Sequence, residues 1–223
     1  SNCVSWARRC VYETGMYHTG DTTVGNAQAG DVRIIDQNGD NVIDISDRTI
    51  IGNPNPDYTF GINLSVRYKA FSLSALVNGV YGNDIVNGNL IQMGNAEGLF
   101  RNILTDAYHG AWRPEKPSNS YPRIGYLGND GPEFLAISDR YVEDGSYLRL
   151  NNITLGYDLP INENNTIKGA NIYVTGQNLL TLTNYSGYDP EITSFMWTGL
   201  INGVDWNGPP NSRNILIGLN LNF

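Results

Sequence analysis

The sequence predicts an all-β chain: an antiparallel, transmembrane β-barrel segment, a partial barrel with long extracellular loops and one short loop helix. Three observations carry this. Apolar and polar residues alternate over stretches of about eleven residues, twice the usual length of a strand in a soluble sandwich. Composition favours strands and loops: asparagine outnumbers even the 25 glycines, there are 14 tyrosines, and charged residues make up only 16%. Finally, no run approaches the ~18 apolar residues of a membrane-crossing helix, which leaves strands as the elements able to cross. The net charge of −8 argues against a nucleic-acid partner.

Residues 1–30 are weakly patterned and form the first division of the chain; 31–223 form the second. Cys3 and Cys10 match no zinc or redox spacing and read as unpaired thiols. The chain opens on Ser1 without a methionine or a signal peptide, and is expected to be a piece of something longer or a processed product. Residues 31–35 read as a short strand. Two prolines in NPNPD (53–57) make a stiff turn, because each fixes its own φ and pushes the preceding asparagine out of the helical region.

YTFGINLSVRY follows. Tyr58, Phe60, Ile62, Leu64, Val66 and Tyr68 lie on one face, with Thr59, Gly61, Asn63, Ser65 and Arg67 on the other. After a tight turn at Lys69-Ala70, the pattern repeats with Phe71, Leu73, Ala75, Val77, Gly79 and Tyr81 on one face, opposite a mixed face of Ser72, Ser74 and Asn78 beside Leu76 and Val80. Ten steps of ~3.4 Å, tilted by ~40°, rise about 26 Å along a barrel axis, the height of a lipid-facing band. Aromatic residues close both ends of the face, as at the two interfaces of a membrane. Tyr58, Phe60, Ile62, Leu64, Val66, Tyr68, Phe71, Leu73, Ala75, Val77 and Tyr81 are therefore expected to face lipid.

Residues 82–145 read as long and irregular. Leu99, Phe100, Ile103, Leu104, Ala107 and Tyr108 have helical spacing and predict one short helix ended by Gly110 and Pro114. In SYLRLNNITLGYD (146–158) the alternation slips, and a bulge at Asn151-Asn152 would return Ile153, Leu155 and Tyr157 to the face of Leu148 and Leu150. Residues 170–180 read as a strand of unclear facing. RNILIGLNLNF then alternates through Ile215, Ile217, Leu219, Leu221 and Phe223.

DQNGDNVIDISD (36–47) has calcium-loop spacing, with oxygens at positions 1, 3, 5, 7, 9 and 12 from Asp36, Asn38, Asp40, the Val42 carbonyl, Asp44 and Asp47. Asn41 replaces the usual glycine at position 6, and Asp47 the usual glutamate at 12, as in dockerin-type loops. The helix that enters an EF-hand is missing. Four carboxylates in twelve residues repel one another unless a cation or solvent screens them. All the donors are oxygens, which suits a hard cation, and structural Ca2+ is the expected cofactor. The competing reading is a set of Asx-turns without metal. No catalytic motif accompanies any of this. Asp106 and His109 read as a surface pair, and Asp139, Glu143 and Asp144 as a solvated acidic stretch. Trp112, Tyr121, Tyr126, Trp197 and Trp206 could stack on sugar rings, but packing of the loops is preferred.

GDVRIIDQNGDNVIDISDRTIIGNPNPDYTFGINLSVRYKAFSLSALVNGVYGNDI, DGSYLRLNNITLGYDLP and NIYVTGQNLLTLTNYSGYDPE together resemble the C-terminal barrel region of SusC/RagA-type TonB-dependent transporters of Bacteroidetes, over residues 26–223. The resemblance implies a bacterial outer-membrane location, a plug within a barrel of about 22 strands, energy from the TonB complex through upstream parts, and a SusD-like lipoprotein partner. It also implies an oligosaccharide or peptide substrate. Gly218, Leu219, Leu221 and Phe223 look like the signal read by the barrel-assembly machinery. A C-terminal fragment of such an importer is the expected identity. The alternatives are a non-transporting surface β-domain, or a carbohydrate-binding accessory module with a structural calcium loop. Strand counting back from a periplasmic Phe223 makes Lys69-Ala70 and 159–168 periplasmic turns. It places 36–57, 82–145 and 181–212 outside the cell.

Overall fold

The computed structural model describes residues 14–23, 27–94, 102–124, 138–161, 166–191, 202–206 and 208–223. Cys3, Cys10, Leu99, Phe100, Tyr126 and Trp197 lie outside the described residues. The chain divides into two compact units, one built from 56–82, 145–190 and 209–223, the other from 1–55, 83–144 and 191–208.

The first of these is a five-stranded antiparallel sheet of β3 (Tyr58–Tyr68), β4 (Phe71–Tyr81), β7 (Tyr147–Leu159), β8 (Gly169–Thr183) and β10 (Asn214–Asn222), each paired with the next. β3 and β4 have the bounds that alternation predicts. Their turn is the expected Lys69-Ala70, with Lys69 at φ 53 in the left-handed region that a two-residue hairpin loop demands. The predicted bulge is present: the register of β7 jumps between Leu150 and Asn152 against both neighbours. β8 answers with its own irregularity, where Leu150 pairs with Leu180 and Asn152 with Gln177, and Asn178 sits between them at φ 52. This lets β8 run on to Thr183, three residues past the predicted end, by pairing with Tyr147–Leu150.

The second unit holds a two-stranded sheet of β1 (Thr14–Met16) and β2 (Val32–Ile34), and a three-stranded sheet ordered β6 (Val142–Asp144), β5 (Asp84–Asn87), β9 (Val204–Asp205). Its core is small: Val86, Ile91, Tyr141 and Val204, with Leu90, Val142 and Trp206 against them. Residues 82–145 are therefore less irregular than their sequence suggests. Beside the predicted helix they contain β5, β6 and a further helix, α1 (Gly88–Met93), which Asn87 caps by accepting the Leu90 amide. The predicted helix is α2 (Thr105–Gly110). It ends at Gly110 as expected but starts at Thr105, since Leu104 before it is extended and donates its amide to the Met93 carbonyl at 3.0 Å. Asp106 and His109 on it are exposed.

Candidate functional surfaces and the acidic loop

Cross-strand register decides which residues share a face of the five-stranded sheet. Val77 stands opposite Ile62 and Leu150; Leu73 stands opposite Val66 and Leu155; Leu155 stands opposite Val174, and Val174 opposite Ile217. One face is thus apolar across all five strands. It holds every residue expected to face lipid, together with Leu148, Ile153 and Tyr157 of β7, Ile172, Val174, Leu180 and Leu182 of β8, and Ile215 to Leu221 of β10 in alternation. In this sheet most of these side chains are uncovered, Ile217 being 77% exposed and Ile62 58%, while Leu73, Ala75, Val77, Ile153 and Tyr157 are half-buried. A soluble protein rarely exposes a contiguous apolar area of this extent. Aromatic pairs close the ends of the face. Tyr58 stacks on Tyr81 with centroids 5.0 Å apart, and Phe71 lies 4.8 Å from Tyr157 at the opposite end.

The other face is mainly Thr, Ser, Asn and Gln, interrupted by Leu76 and Val80 of β4, Tyr147, Tyr173 and Leu216, with three charged side chains in the strands, each of them paired. Arg67 forms an ion pair with Asp158, which also accepts from Asn171 Nδ2 at 2.7 Å. Arg149 is buried, donates from Nε to Thr181 Oγ1 at 3.0 Å, and pairs with the equally buried Asp189 at 2.5 Å. Tyr147 lies under its guanidinium at 5.3 Å, and Asn211 Nδ2 donates to the second oxygen of Asp189. The bond between Thr154 and Thr175 hydroxyls, 2.8 Å, continues the neutral hydrogen-bonding surface. Sequence reading missed the Arg149 clamp. Its one signal was an arginine in a strand whose next charge is Asp158; its partner lies forty residues on.

Chain direction sorts the connections. β3 begins, β4 ends, β7 begins, β8 ends and β10 begins at one end of the sheet, so the segments before 58, between 81 and 147, and between 183 and 214 all depart from that end. The Lys69-Ala70 turn lies at the other, where β7 ends and β8 begins. Gly218 is set opposite Tyr173 on the polar face, Leu219 and Leu221 belong to the apolar face, and Phe223 follows β10, 72% exposed.

The acidic loop is wound by its own carboxylates. Asp36 accepts the amides of Gly39 and Asn41 (both 2.7 Å), and Asp40 accepts Val42 N at 2.8 Å and Asn38 Nδ2 at 2.9 Å. Asp44 caps a turn of 3-10 helix, Ile45–Asp47, by accepting Ser46 N at 2.6 Å, and Asp47 returns the bond to Asp44 N at 2.8 Å. Asp47 is fully buried and also accepts Gln37 N at 2.9 Å. The Asp44 amide, then those of Gln37 and Asn38, hold its carboxyl below the ordinary carboxylate range against the opposing effect of burial. Asn41, at the sixth position, adopts φ 64, the conformation for which glycine is usual there. Among the described residues no three His, Cys, Asp or Glu side chains converge on a point where they could share a cation.

The other candidates have structural partners. Asp139 and Asp144 are exposed, as expected, but Asp139 also accepts the amide (3.0 Å) and hydroxyl (2.8 Å) of Thr14, and the half-buried Glu143 accepts Asn87 Nδ2 at 2.8 Å. Their partners lie far off in sequence, which is why a local reading sees only charge. Trp112 is buried over Gly30, and Trp206 packs over Gly88 and the small core.

No family model matches the sequence. The chain is 34% identical over 220 residues to TonB-dependent receptor P3 of Formosa agariphila, covering 96% of this chain and 21% of that protein. It is 31% identical over 194 residues to TonB-dependent receptor SusC of Bacteroides thetaiotaomicron, covering 85% of this chain and 17% of that protein. The RagAB peptide importer in its open-open state superposes with a TM-score of 0.66 at 25% identity, over 96% of this chain and 22% of the solved one. The chain thus spans about a fifth of the length of the proteins it matches.

Proposed function

Because the chain belongs to the SusC/RagA group of TonB-dependent receptors, as a barrel segment in the outer membrane and not an enzyme, we propose that it supplies part of the wall of an importer for oligosaccharides or peptides. The observation that carries this is the two-faced sheet. Its apolar face meets lipid through Tyr58, Phe60, Ile62, Leu64, Val66, Tyr68, Phe71, Leu73, Ala75, Val77 and Tyr81. Its polar face lines the interior. A wall rich in amides and hydroxyls, with Leu76, Val80 and Leu216 among them and its strand arginines already paired to carboxylates, offers passing solutes many weak hydrogen bonds and, among the described strand residues, no unpaired charge to hold them. In the whole protein, TonB would energise release of a plug through upstream parts, and a SusD-like lipoprotein would cover the outer side. The barrel-assembly machinery would read Gly218, Leu219, Leu221 and Phe223.

The face assignment is tested with neighbouring residues at mid-strand in the full-length receptor. Leu64→Arg places a charge in lipid at a cost of about 2–4 kcal/mol, and should lower the fraction that shows heat-modifiable mobility in outer-membrane fractions. Ser65→Arg should fold as the parent does. Equal folding of the two variants would overturn the assignment.

For the acidic loop we propose a structural calcium ion bound by Asp36, Asn38, Asp40, the Val42 carbonyl, Asp44 and Asp47. The left-handed Asn41 supports it, since the turn such a loop needs is already formed. The carboxylates now engaged with loop amides retain free lone pairs, but must draw together to share an ion. Calcorimetric titration of the full-length receptor with calcium should release or absorb heat that Asp36→Ala/Asp40→Ala abolishes. Identical heats from both proteins would leave the loop as Asx-turns alone.

A further inference from the structure

We propose that Tyr173 and Gly218 form a register lock that fixes β10 against β8. Alternation by itself does not fix this pairing. A slip by one residue is rejected, since it turns every apolar side chain to the wrong face. A slip by two keeps all faces and the hydrogen-bond ladder, and the apolar side of β10 offers only the near-equivalent Ile215, Ile217, Leu219 and Leu221 to tell one such register from another. The polar side makes the distinction. Tyr173 stands directly opposite Gly218, and its ring lies over that glycine: a Cβ added at 218 would fall 2.5 Å from Cε1 and closer still to Cζ and Oη. A two-residue slip would set Leu216 or Asn220 there, each carrying the Cβ that the ring excludes.

Backbone conformation does not explain the glycine. Gly218 is absent from the positive-φ positions, and the pairing of Asn214–Asn222 runs without a bulge. The room left by the missing side chain is what remains. Tyr173 also has a glycine opposite on its other side, Gly156 of β7, but a Cβ there would meet Ser72 Oγ at 2.5 Å and not the ring. The ring therefore leans one way, onto β10. Phe60 over Gly79 repeats the arrangement between β3 and β4 on the apolar face, where an added Cβ would lie 2.5 Å from Cζ.

The inference rests on register alone and is independent of what is transported. It is tested in the full-length receptor in outer-membrane fractions by two readouts, heat-modifiable mobility and disulfide cross-linking. Ile217→Cys with Val174→Cys reports the register described here, and Ile217→Cys with Ile172→Cys a slip by two. Gly218→Ala should reduce the folded fraction and the 217–174 link roughly five-fold. Adding Tyr173→Ala to the same chain should restore both. The lock is overturned if Gly218→Ala folds and links as the parent does. It is equally overturned if the double variant remains as defective as Gly218→Ala, which would assign the glycine's role to something other than the ring.

Discussion

At the scale of single residues, two buried carboxylates do opposite kinds of work. Asp47 gathers the acidic loop by accepting amides from both its ends, and its carboxyl is held below the ordinary range. A folded-state value below the unfolded one means that the stabilisation is fully present above the ordinary carboxylate value, about pH 4. It is lost as the pH falls through the lowered folded value. Amide exchange over 36–50 in the full-length receptor should therefore be slow at neutral pH and accelerate only on strong acidification. Asp47→Asn should exchange fast already at neutral pH. Asp189 instead neutralises an arginine. Removing it strands a buried guanidinium, and Asp189→Ala should cost about 3 kcal/mol. Arg149→Met/Asp189→Leu should cost much less, since neither charge is then left unpaired. The temperature at which the receptor loses its heat-modifiable mobility compares the two variants with the parent, and near-equal losses in both would mean that a stranded guanidinium is not the source of the cost.

At the scale of elements, legibility in the sequence follows from where the information lies. β3, β4 and β10 announce themselves because apolar residues recur at every second position along one face of each. The bulge in β7 is legible for the same reason: Leu148, Leu150, Ile153, Leu155 and Tyr157 fit one face only if a residue is skipped. The strands β5, β6 and β9 give no such signal. They are two to four residues long, and β5 pairs with β9 through Val86 and Val204, residues with no local relation. The Arg149 clamp and the partners of Asp139 fail to show for the same reason, being fixed by tertiary contacts. The loop 36–47 is intermediate: its turns are local and readable, whereas the ion its spacing suggests depends on how its carboxylates converge. The bulge permits a sharp prediction. Inserting one residue after Asn152, with the bulge kept, would carry Ile153, Leu155 and Tyr157 onto the polar face and Thr154 and Asp158 onto the apolar one, whereas deleting Asn151 leaves plain alternation with all five apolar residues on one face. The full-length insertion variant should therefore fail to reach the heat-modifiable state, whereas the Asn151 deletion and Asn151→Ala should both reach it.

At the scale of the whole molecule, the sheet has two unlike ends. One carries a two-residue turn and a short connection. The other sends out the three long excursions, which contain the acidic loop, α1, α2 and the small core. Outer-membrane barrels place short turns toward the periplasm and long loops outside, so connectivity predicts sidedness with no reference to cargo or partner. The prediction can be read on living cells. In a cysteine-free parent receptor, with Cys3 and Cys10 also replaced, Gly39→Cys in the acidic loop and Lys116→Cys after α2 should react with a membrane-impermeant maleimide on intact cells, both positions being exposed. Lys69→Cys, equally exposed but in the turn between β3 and β4, should react only once the outer membrane is permeabilised. Labelling of Lys69→Cys on intact cells, with protection of Gly39→Cys, would invert the barrel. Labelling of all three on intact cells would remove the sheet from the membrane altogether, and with it the reading of its apolar face as a lipid surface.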